Sequence, residues 1–377
     1  MHDASLDKFN RYGPIVREEY EWRRPVVHLF DPMDFEKIFR SKEKCPKRPE
    51  SEFVKHYRLQ NPDRYPTVGM AHSQGEEWYE ERQRIAPILL TKTSSPGVPE
   101  NHIPKQNQIC NDFIAYLSDL KDIDHVIPDV REATNRLALE SICSLCLGMR
   151  MESLSSHSQL NRTSASSDPE STLSAPGRHL ISLTGKLFNS YNKLYYGLPT
   201  WKLYRSASYK EFCEVEEDIY NMTMRFIDQH IRDARGKAGV RDRPASILEA
   251  LINLPNFDPR HIPITVSDFI AGGTFTVANS LTYLIQNLAC NPQSQEIIHK
   301  ELESAGLLPG GGSVIRSENL SRIPYLRAAV KESFRMTSTI PAIVRILEND
   351  TILSGYHVPK GVSILLVVEG DADEHSS

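Results

Sequence analysis

The chain of 377 residues contains no Walker, dinucleotide-binding or H-E-x-x-H motif, and no internal repeat with a period of about 20 to 50 residues. These absences argue against a nucleotide-dependent enzyme, a zinc protease and a repeat solenoid. The sequence also lacks a long basic run, and its formal net charge is -5. We therefore expect no nucleic-acid partner.

Cysteine is scarce, and the six cysteines are spread too thinly over the chain for a disulfide framework, so we expect reduced thiols. Cys143 and Cys146 form a C-x-x-C pattern, but it lies in a run with apolar helical spacing and has no second Cys or His pair nearby. Small buried residues fit this pattern better than a zinc or redox site, and no metal site is predicted.

The sequence opens with neither a secretory signal nor a transit peptide. One uncharged segment, residues 269–291, is long enough to span a bilayer, but its threonine, asparagine and glutamine side chains favour a buried core helix. With 40% hydrophobic residues the chain can bury a large core, in one domain or two. We predict a single domain over residues 1–377, with a flexible Ser-rich insertion at 153–177 and a polar tail at 369–377.

Apolar periodicity predicts a mainly α protein with a small β region. A short strand is predicted at residues 26–30 and a capped helix directly after it, whereas the Pro- and Tyr-rich stretch to about Met70 is predicted to be loop. Short strands are predicted after Arg335. The other predicted helices are residues 75–90, 105–121, 130–148, 179–194, 209–235, 245–252, 266–290, 294–305 and 323–336.

Two adjacent glycines, Gly272 and Gly273, lie inside the longest predicted helix, in the sequence IAGGTFTVANS. In a helix interior each costs about 1 kcal/mol relative to alanine. One explanation is close helix packing. The other is a local groove in which a small ligand approaches the backbone, with Thr276 able to bond back to a helix carbonyl. The residues alone leave both explanations open.

The stretch KESFRM places Glu332 three residues before Arg335. Residues three apart on a helix are neighbours, and a carboxylate can accept two parallel hydrogen bonds from a guanidinium. On a solvated helix such a pair usually contributes under roughly 0.5 kcal/mol. Because apolar residues such as Leu326 and Phe334 surround it, we predict a largely buried pair with a specific structural task.

Several motifs occur in a fixed order: GEEWYEERQRIAPIL, the Gly-Gly-Thr helix, YLRAAVKESFRM, IPAIVR and SGYHVPKG. In this order the chain resembles the cytochrome P450 family, the haem-thiolate monooxygenases. The segments YGPIVREE, HLFDPMDFEKIFR, HSQGEEW and GLPTWKLY make it most similar to the mitochondrial branch. The resemblance runs from about Tyr12 to about Leu366, outside the Ser-rich insertion.

This resemblance implies the cytochrome P450 fold, a haem cofactor, and hydroxylation of a small apolar substrate by dioxygen and two electrons, with sterols as the family-based expectation. Trp78 and Arg82, in a W-x-x-x-R pattern, would lie on a helix that contacts a haem propionate, where an arginine fork suits a carboxylate. Arg345 matches a further position that pairs with a propionate. Alternatively, Trp78 and Arg82 are an aromatic/Arg pair on a surface helix, and Arg345 is an ordinary arginine at a strand edge.

The resemblance also assigns roles on two helices. Gly272, Gly273 and Thr276 would belong to the oxygen-binding helix, where Thr276 would help deliver protons to bound dioxygen. Glu332 and Arg335 would be the E-x-x-R pair that ties its helix to the structure around the haem. The role of this pair would be structural, without direct part in the reaction.

The mitochondrial branch receives its electrons from a ferredoxin-type iron-sulfur protein. Arg327 and Lys331 match the basic positions on which that acidic partner docks, and they lie one turn apart on one helix face. Alternatively, Arg327 and Lys331 lie on a solvated helix face and bind no partner. The resemblance further implies a mitochondrial, inner-membrane location, and allows peripheral membrane association.

Two departures from the family pattern affect these expectations. Phe275 stands where the family has an acid before Thr276, and a phenyl ring cannot relay a proton. No cysteine follows Glu332, so the loop F-x-x-G-x-x-x-C-x-G, whose cysteine holds the iron, is absent. We expect a chain truncated before that loop. Two hypotheses remain: a haem-dependent monooxygenase, and a non-catalytic fragment that cannot ligate haem iron through cysteine.

Overall fold

Helices make up most of the structure, and the expectation of a mainly α fold with a small β region is confirmed. The predicted Ser-rich insertion falls mostly outside the described residues, and the predicted polar tail falls wholly outside them. The computed structural model describes residues 2–20, 24–41, 44–90, 98–154, 174–235, 244–308 and 314–367.

The helices are named α1 to α12 in chain order within these ranges. Short 3-10 helices also occur, at Thr200–Lys202, Pro259–His261 and Ser317–Arg322. The α-helices are α1 (His2–Tyr12), α2 (Pro32–Phe39), α3 (Glu52–Leu59), α4 (Gly75–Leu89), α5 (Val98–Leu120), α6 (Val130–Leu147), α7 (Ser174–Tyr196), α8 (Ala207–Arg235), α9 (Ile247–Ile252), α10 (Ile262–Ala289), α11 (Pro292–Ser304) and α12 (Pro324–Met336).

The β region consists of a four-stranded sheet and a hairpin. The sheet has the order β1-β2-β6-β3, in which β2 and β6 are parallel and the other neighbours antiparallel. The parallel pairing joins the N-terminal part of the chain to residues more than 300 positions later, with α2 to α12 lying between them in the sequence. The strands are β1 (Ile15–Tyr20), β2 (Arg24–Leu29), β3 (Ala342–Ile346), β4 (Thr351–Leu353), β5 (Tyr356–Val358) and β6 (Ser363–Val367).

The N-terminal part of the structure differs from the sequence expectation, which predicted neither α1 nor β1. The stretch to Met70 was predicted to be loop, and this was wrong, because α3 forms inside it. Phe53, Val54 and Tyr57 of that helix are buried against the main core, which stabilises a helix too short to form by itself. The predicted capped helix is α2, whose cap is the carboxylate of Asp31, which accepts a hydrogen bond of 2.8 Å from the amide of Met33.

The main apolar core lies between α6, α7, α8 and α10 and includes Cys143 and Cys146. Both cysteines are fully buried, as the apolar spacing predicted, and burial raises the pKa of both thiols. A second, smaller core covers one face of the sheet. None of the described helices is long and apolar enough to cross a membrane.

His102, near the start of α5, is a buried histidine whose two ring nitrogens have no hydrogen-bond partner among the described residues. Loss of hydration, with the nearby Lys105 charge as a smaller cause, lowers its pKa to about 4. The folded chain therefore keeps this imidazole neutral at pH values where the unfolded chain protonates it.

We expect the free energy of unfolding to fall as the pH drops from about 6.5 towards 4, because the unfolded state then binds the extra proton. The contribution of His102 is at most about 1.4 kcal/mol for each pH unit. Urea unfolding of the wild type and of His102→Phe over this range tests it, since the variant should show the shallower slope. Equal slopes would show that His102 does not titrate in this way.

Candidate functional site

Arg48 and Arg82 lie beside Trp78, and the positive charge of Arg345, which lies over the Phe39 ring, also acts on Arg48. Arg48 lies before α3, Arg82 on α4 and Arg345 on β3. The guanidinium carbon of Arg48 is 5.9 Å from the Trp78 ring centroid, and that of Arg82 is 5.4 Å from it. Burial first, and then the positive charges of Arg345 and Arg82, lower the pKa of Arg48. An isolated bridge between Lys47 and Ile346 holds this loop against β3.

No carboxylate in the described part of the chain forms an ion pair with any of these three arginines. Arg48 donates to the carbonyl of Ser73 at 3.0 Å, and Arg345 donates to that of Val344 at 2.9 Å. Three like charges held together repel one another, and an anion with several oxygens would relieve this repulsion. We call Arg48, Arg82 and Arg345 the arginine cluster.

Sequence reasoning found two members of the arginine cluster and missed Arg48, which has no motif around it.

The two adjacent glycines of α10 have different surroundings, with close packing at Gly273 and open space at Gly272. A side chain at Gly273 would begin 2.7 Å from Ile142 of α6, and this glycine therefore permits close helix packing. A side chain at Gly272 would meet nothing within 4 Å. The Thr276 hydroxyl donates to the Gly272 carbonyl at 2.7 Å. Gly272 and Thr276 thus mark an open strip of helix backbone.

A mainly apolar cavity of about 310 Å³ lies beside this strip, between α10 and α12. Thr276 and Ser280 contribute hydroxyl groups to its lining, and Val277 and Phe334 remain about half exposed. The Ser280 hydroxyl is 2.9 Å from that of Thr339, just before β3. The arrangement leaves an apolar surface with hydroxyl groups along one edge.

Phe275, which replaces the family's acid, turns towards α7. Its ring is perpendicular to that of Phe188 with centroids 6.1 Å apart, and a side chain at Gly185 would begin 3.6 Å from it. The phenyl ring therefore packs α10 against α7.

A second cavity, of about 180 Å³, includes Gly272 on one side and a buried ionic cluster on the other. There Arg58 of α3 binds Glu216 of α8 and Asp268 of α10. No local pattern in the sequence marks this cluster, because its three members are far apart along the chain and none lies in a motif.

Glu332 and Arg335 form the predicted ion pair on α12, with two hydrogen bonds of 2.6 and 2.9 Å. The prediction that the pair is largely buried was wrong, since the two side chains are 53% and 50% exposed. Both side chains line an open cavity bordered by α10 and α12, and among the described residues of α12 only Ser333 is buried. A pair so exposed contributes less than about 1 kcal/mol to stability.

Arg327 and Lys331 lie exposed on α12, one turn apart, as the sequence spacing requires. Neither forms an ion pair within the described ranges. Their role as a docking surface for an acidic partner stays a prediction.

The fold is mainly helical with a small β region, and the site combines a group of arginines with an open strip of helix backbone. Comparison with known proteins identifies the family to which such a chain belongs. The family model described as Cytochrome P450 matches residues 1–370. The chain belongs to the cytochrome P450 family.

Several known proteins are similar to it. Ecdysone 20-monooxygenase of Drosophila melanogaster is 31% identical over 370 residues, which cover 97% of this chain and 64% of that protein. Cytochrome P450 302a1, mitochondrial, from the same species is 26% identical, covering 97% and 69%. The solved structure of retinoic acid bound cyanobacterial CYP120A1 shares the fold, with a TM-score of 0.68 at 14% identity, and covers 97% of this chain and 72% of that one. The chain thus spans about two thirds of the length of these relatives.

Cytochromes P450 hold haem, and the residues of the site can be compared with that cofactor. The arginine cluster fits its propionates, and the open strip at Gly272 and Thr276 fits the approach of a flat ring system. The family's axial ligand is a cysteine thiolate. None of the six cysteines lines the cavity beside Thr276 or the cavity that includes Gly272. The described site therefore offers cationic groups suited to carboxylates, and no cysteine is among the lining residues of its two cavities.

The adjacent glycines give a matched pair of tests. We expect Gly272→Ala to leave the free energy of unfolding unchanged or raise it by up to about 1 kcal/mol, because alanine favours the helix and the added methyl meets no atom. Gly273→Ala should lower it by about 1 kcal/mol or more, because Ile142 must move. Urea unfolding of both variants measures the difference. Equal effects would contradict the assignment of packing to Gly273 alone.

Proposed function

We propose that this chain carries the propionate-binding, oxygen-facing and substrate-binding parts of a haem-dependent monooxygenase. The observation that carries the proposal is the arginine cluster, two of whose members lie beside Trp78, and which has no carboxylate partner among the described residues. Membership in the cytochrome P450 family supports the same cofactor.

Bound haem supplies the activation of dioxygen with two electrons, and the residues of this chain supply positions and hydrogen bonds. The arginine cluster would bind the propionates, with Trp78 packed against two of its guanidinium groups. Thr276 would hold a hydroxyl proton at the open strip of α10. Because Phe275 packs against α7, it has no part in proton delivery, and water or Thr276 would have to take over that role.

The substrate we propose is a small apolar molecule of the steroid class. The cavity beside Thr276 is mainly apolar, and one relative is named for its action on ecdysone. The proposed electron donor is a ferredoxin-type iron-sulfur protein, and the proposed location is the mitochondrial inner membrane with peripheral attachment, in line with the mitochondrial names of several relatives.

A non-catalytic protein is the second candidate function, and one observation favours it. No cysteine lines either cavity of the site, so the chain as written would not hold haem iron through a thiolate. The absorption spectrum of the haem-loaded, reduced protein with carbon monoxide separates the two candidates. A red-shifted Soret band typical of thiolate ligation would support catalysis by this chain, and a band typical of nitrogen ligation would support the non-catalytic reading.

The arginine cluster can be tested by titration of the protein with haemin. We expect Arg345→Gln and Arg82→Gln each to weaken haemin binding roughly tenfold, because each removes a charged hydrogen-bond donor from a propionate. Arg84→Gln is the matched control, since Arg84 is exposed on the same helix and lies outside the cluster. If the three variants lose affinity equally, general charge and not the cluster accounts for binding.

The docking surface on α12 is tested by charge reversal. We expect Lys331→Glu to weaken binding of a mitochondrial ferredoxin roughly tenfold at low ionic strength, with the difference shrinking as salt is added. Lys186→Glu on α7 makes the same change of charge on another exposed position and should have little effect. Calorimetric titration of both variants measures this, and equal losses would contradict a partner site on α12.

A further inference from the structure

The arginine cluster differs from the two lysines that lie just before it in the sequence. Lys44 is 3.5 Å from a carboxylate oxygen of Glu76. Lys47 is 3.3 Å from a carboxylate oxygen of Glu348. The three arginines have no such partner within the described ranges. Their positive charge is the one that these carboxylates leave uncompensated.

The guanidinium groups of the cluster are open to a further acceptor. Arg82 is exposed, and Arg48 and Arg345 are half-buried. The hydrogen bonds of the two half-buried arginines go to the backbone carbonyls of Ser73 and Val344. These acceptors are neutral, so they satisfy donors without balancing charge. A carboxylate would do both, because hydrogen bonds between ionised groups are the strong ones.

A run of the opposite charge follows the last strand of the sheet. Residues 369–374, with the sequence EGDADE, contain four carboxylates and no lysine or arginine. We call these residues the acidic stretch, and they lie outside the ranges that the structure describes. The other two residues of the stretch are glycine and alanine, which bring little apolar surface to a core. The stretch therefore has charge as its means of binding.

Strand β6 brings the acidic stretch close to Arg345. In the antiparallel pairing with β3, Arg345 lies opposite Ile364. Val367 lies three residues further along β6, which is about 10 Å. The second carboxylate of the stretch, Asp371, lies four residues after Val367, and four residues of extended chain span up to about 13 Å. From Asp371 onwards, the stretch has enough chain to turn back to Arg345.

The loop that carries Arg48 lies at the same edge of the sheet. The bridge between Lys47 and Ile346 holds this loop against the end of β3. Ile346 lies opposite Ser363, four residues or about 13 Å from Val367 along β6. The last carboxylate of the stretch lies seven residues after Val367, and seven residues span up to about 23 Å. The stretch is therefore long enough to reach Arg48 as well.

We propose that the acidic stretch binds the arginine cluster of its own chain, with its carboxylates accepting hydrogen bonds from the guanidinium groups. A single exposed ion pair contributes little, but several charges on each side form a network. The short connection to β6 holds the stretch at an effective concentration of roughly millimolar. The contact is an internal counter-charge for the cluster, and it needs no cofactor.

This contact has a consequence that rests on the proposed function. If the arginine cluster also binds the propionates of haem, the acidic stretch and the propionates need the same guanidinium groups. Each then weakens the binding of the other, and the stretch acts as an internal competitor of the cofactor.

Carbodiimide crosslinking of the full chain tests the contact without haem, because it joins an amine directly to a carboxylate that touches it. Arg345→Lys and Arg82→Lys each put an amine into the cluster and keep the charge. We expect peptide mass spectrometry to show crosslinks from both positions to the acidic stretch. Their yield should fall about fivefold in 1 M salt, where the screening length is about 3 Å. Arg84→Lys, on the exposed side of the same helix as Arg82, is the matched control and should give none.

A haemin titration of the full chain measures the competition. The test variant combines Glu369→Gln, Asp371→Asn, Asp373→Asn and Glu374→Gln. We expect it to bind haemin about tenfold more tightly than the wild type, because the competitor at millimolar effective concentration is lost. A control variant loses the same charge elsewhere and should stay within about twofold of the wild type. It neutralises four exposed carboxylates outside the described ion pairs, Asp119, Asp124, Glu303 and Glu318.

Crosslinks that are absent from both cluster positions, or as frequent in Arg84→Lys, would overturn the inference. A crosslinked product of twice the monomer mass would overturn it too, because the stretch would then bind a second copy. Equal haemin affinities of the test and control variants would contradict the competition. If no variant binds haemin, the proposed function fails, and the crosslinks alone decide whether the stretch binds the cluster.

Discussion

The close approach of α10 to α6 is the constraint on which the site depends. Gly273 lets Ile142 reach the α10 backbone, and this contact fixes the rotation of α10 about its axis. Successive side chains of a helix point about 100° apart around its axis. Once the rotation of α10 is set, the directions of the residues next to Gly273 are therefore set as well. Gly272 then faces open space, Phe275 faces α7, and Asp268 reaches Arg58. A larger residue at 273 would disturb both cavities together.

Buried and half-buried charges have two different arrangements in this molecule. Arg58 is surrounded by partners that satisfy it, and it joins three helices and a loop. The arginine cluster has hydrogen bonds to carbonyls but no counter-charge within the described residues. The first arrangement is complete in the protein alone, and under the proposed function an anion would complete the second. This contrast, more than the number of charges, separates a structural cluster from a candidate cofactor site.

The sequence predicted the parts of the site that lie in short motifs. Trp78 and Arg82 are one turn apart, and the glycines and Thr276 lie within one helix, so local spacing was sufficient. Arg48 and the Arg58 cluster depend on the tertiary meeting of segments separated by up to about 300 residues, and no local pattern marks such meetings. The main error concerned the Glu332 pair, because apolar neighbours along a helix indicate burial only if another element packs against them.

The two cavities and the arginine cluster are built from contacts among described residues, independently of any iron ligand. Under the proposed function, the contacts with substrate and propionates come from α3, α4, α8, α10 and β3, whereas none of the six cysteines, including Cys213 on α8, lines either cavity. If the proposed function holds, binding and catalysis would be separable in this chain. A protein that binds haemin but shows no thiolate spectrum would still keep the arginine cluster and both cavities, because their contacts do not involve the metal.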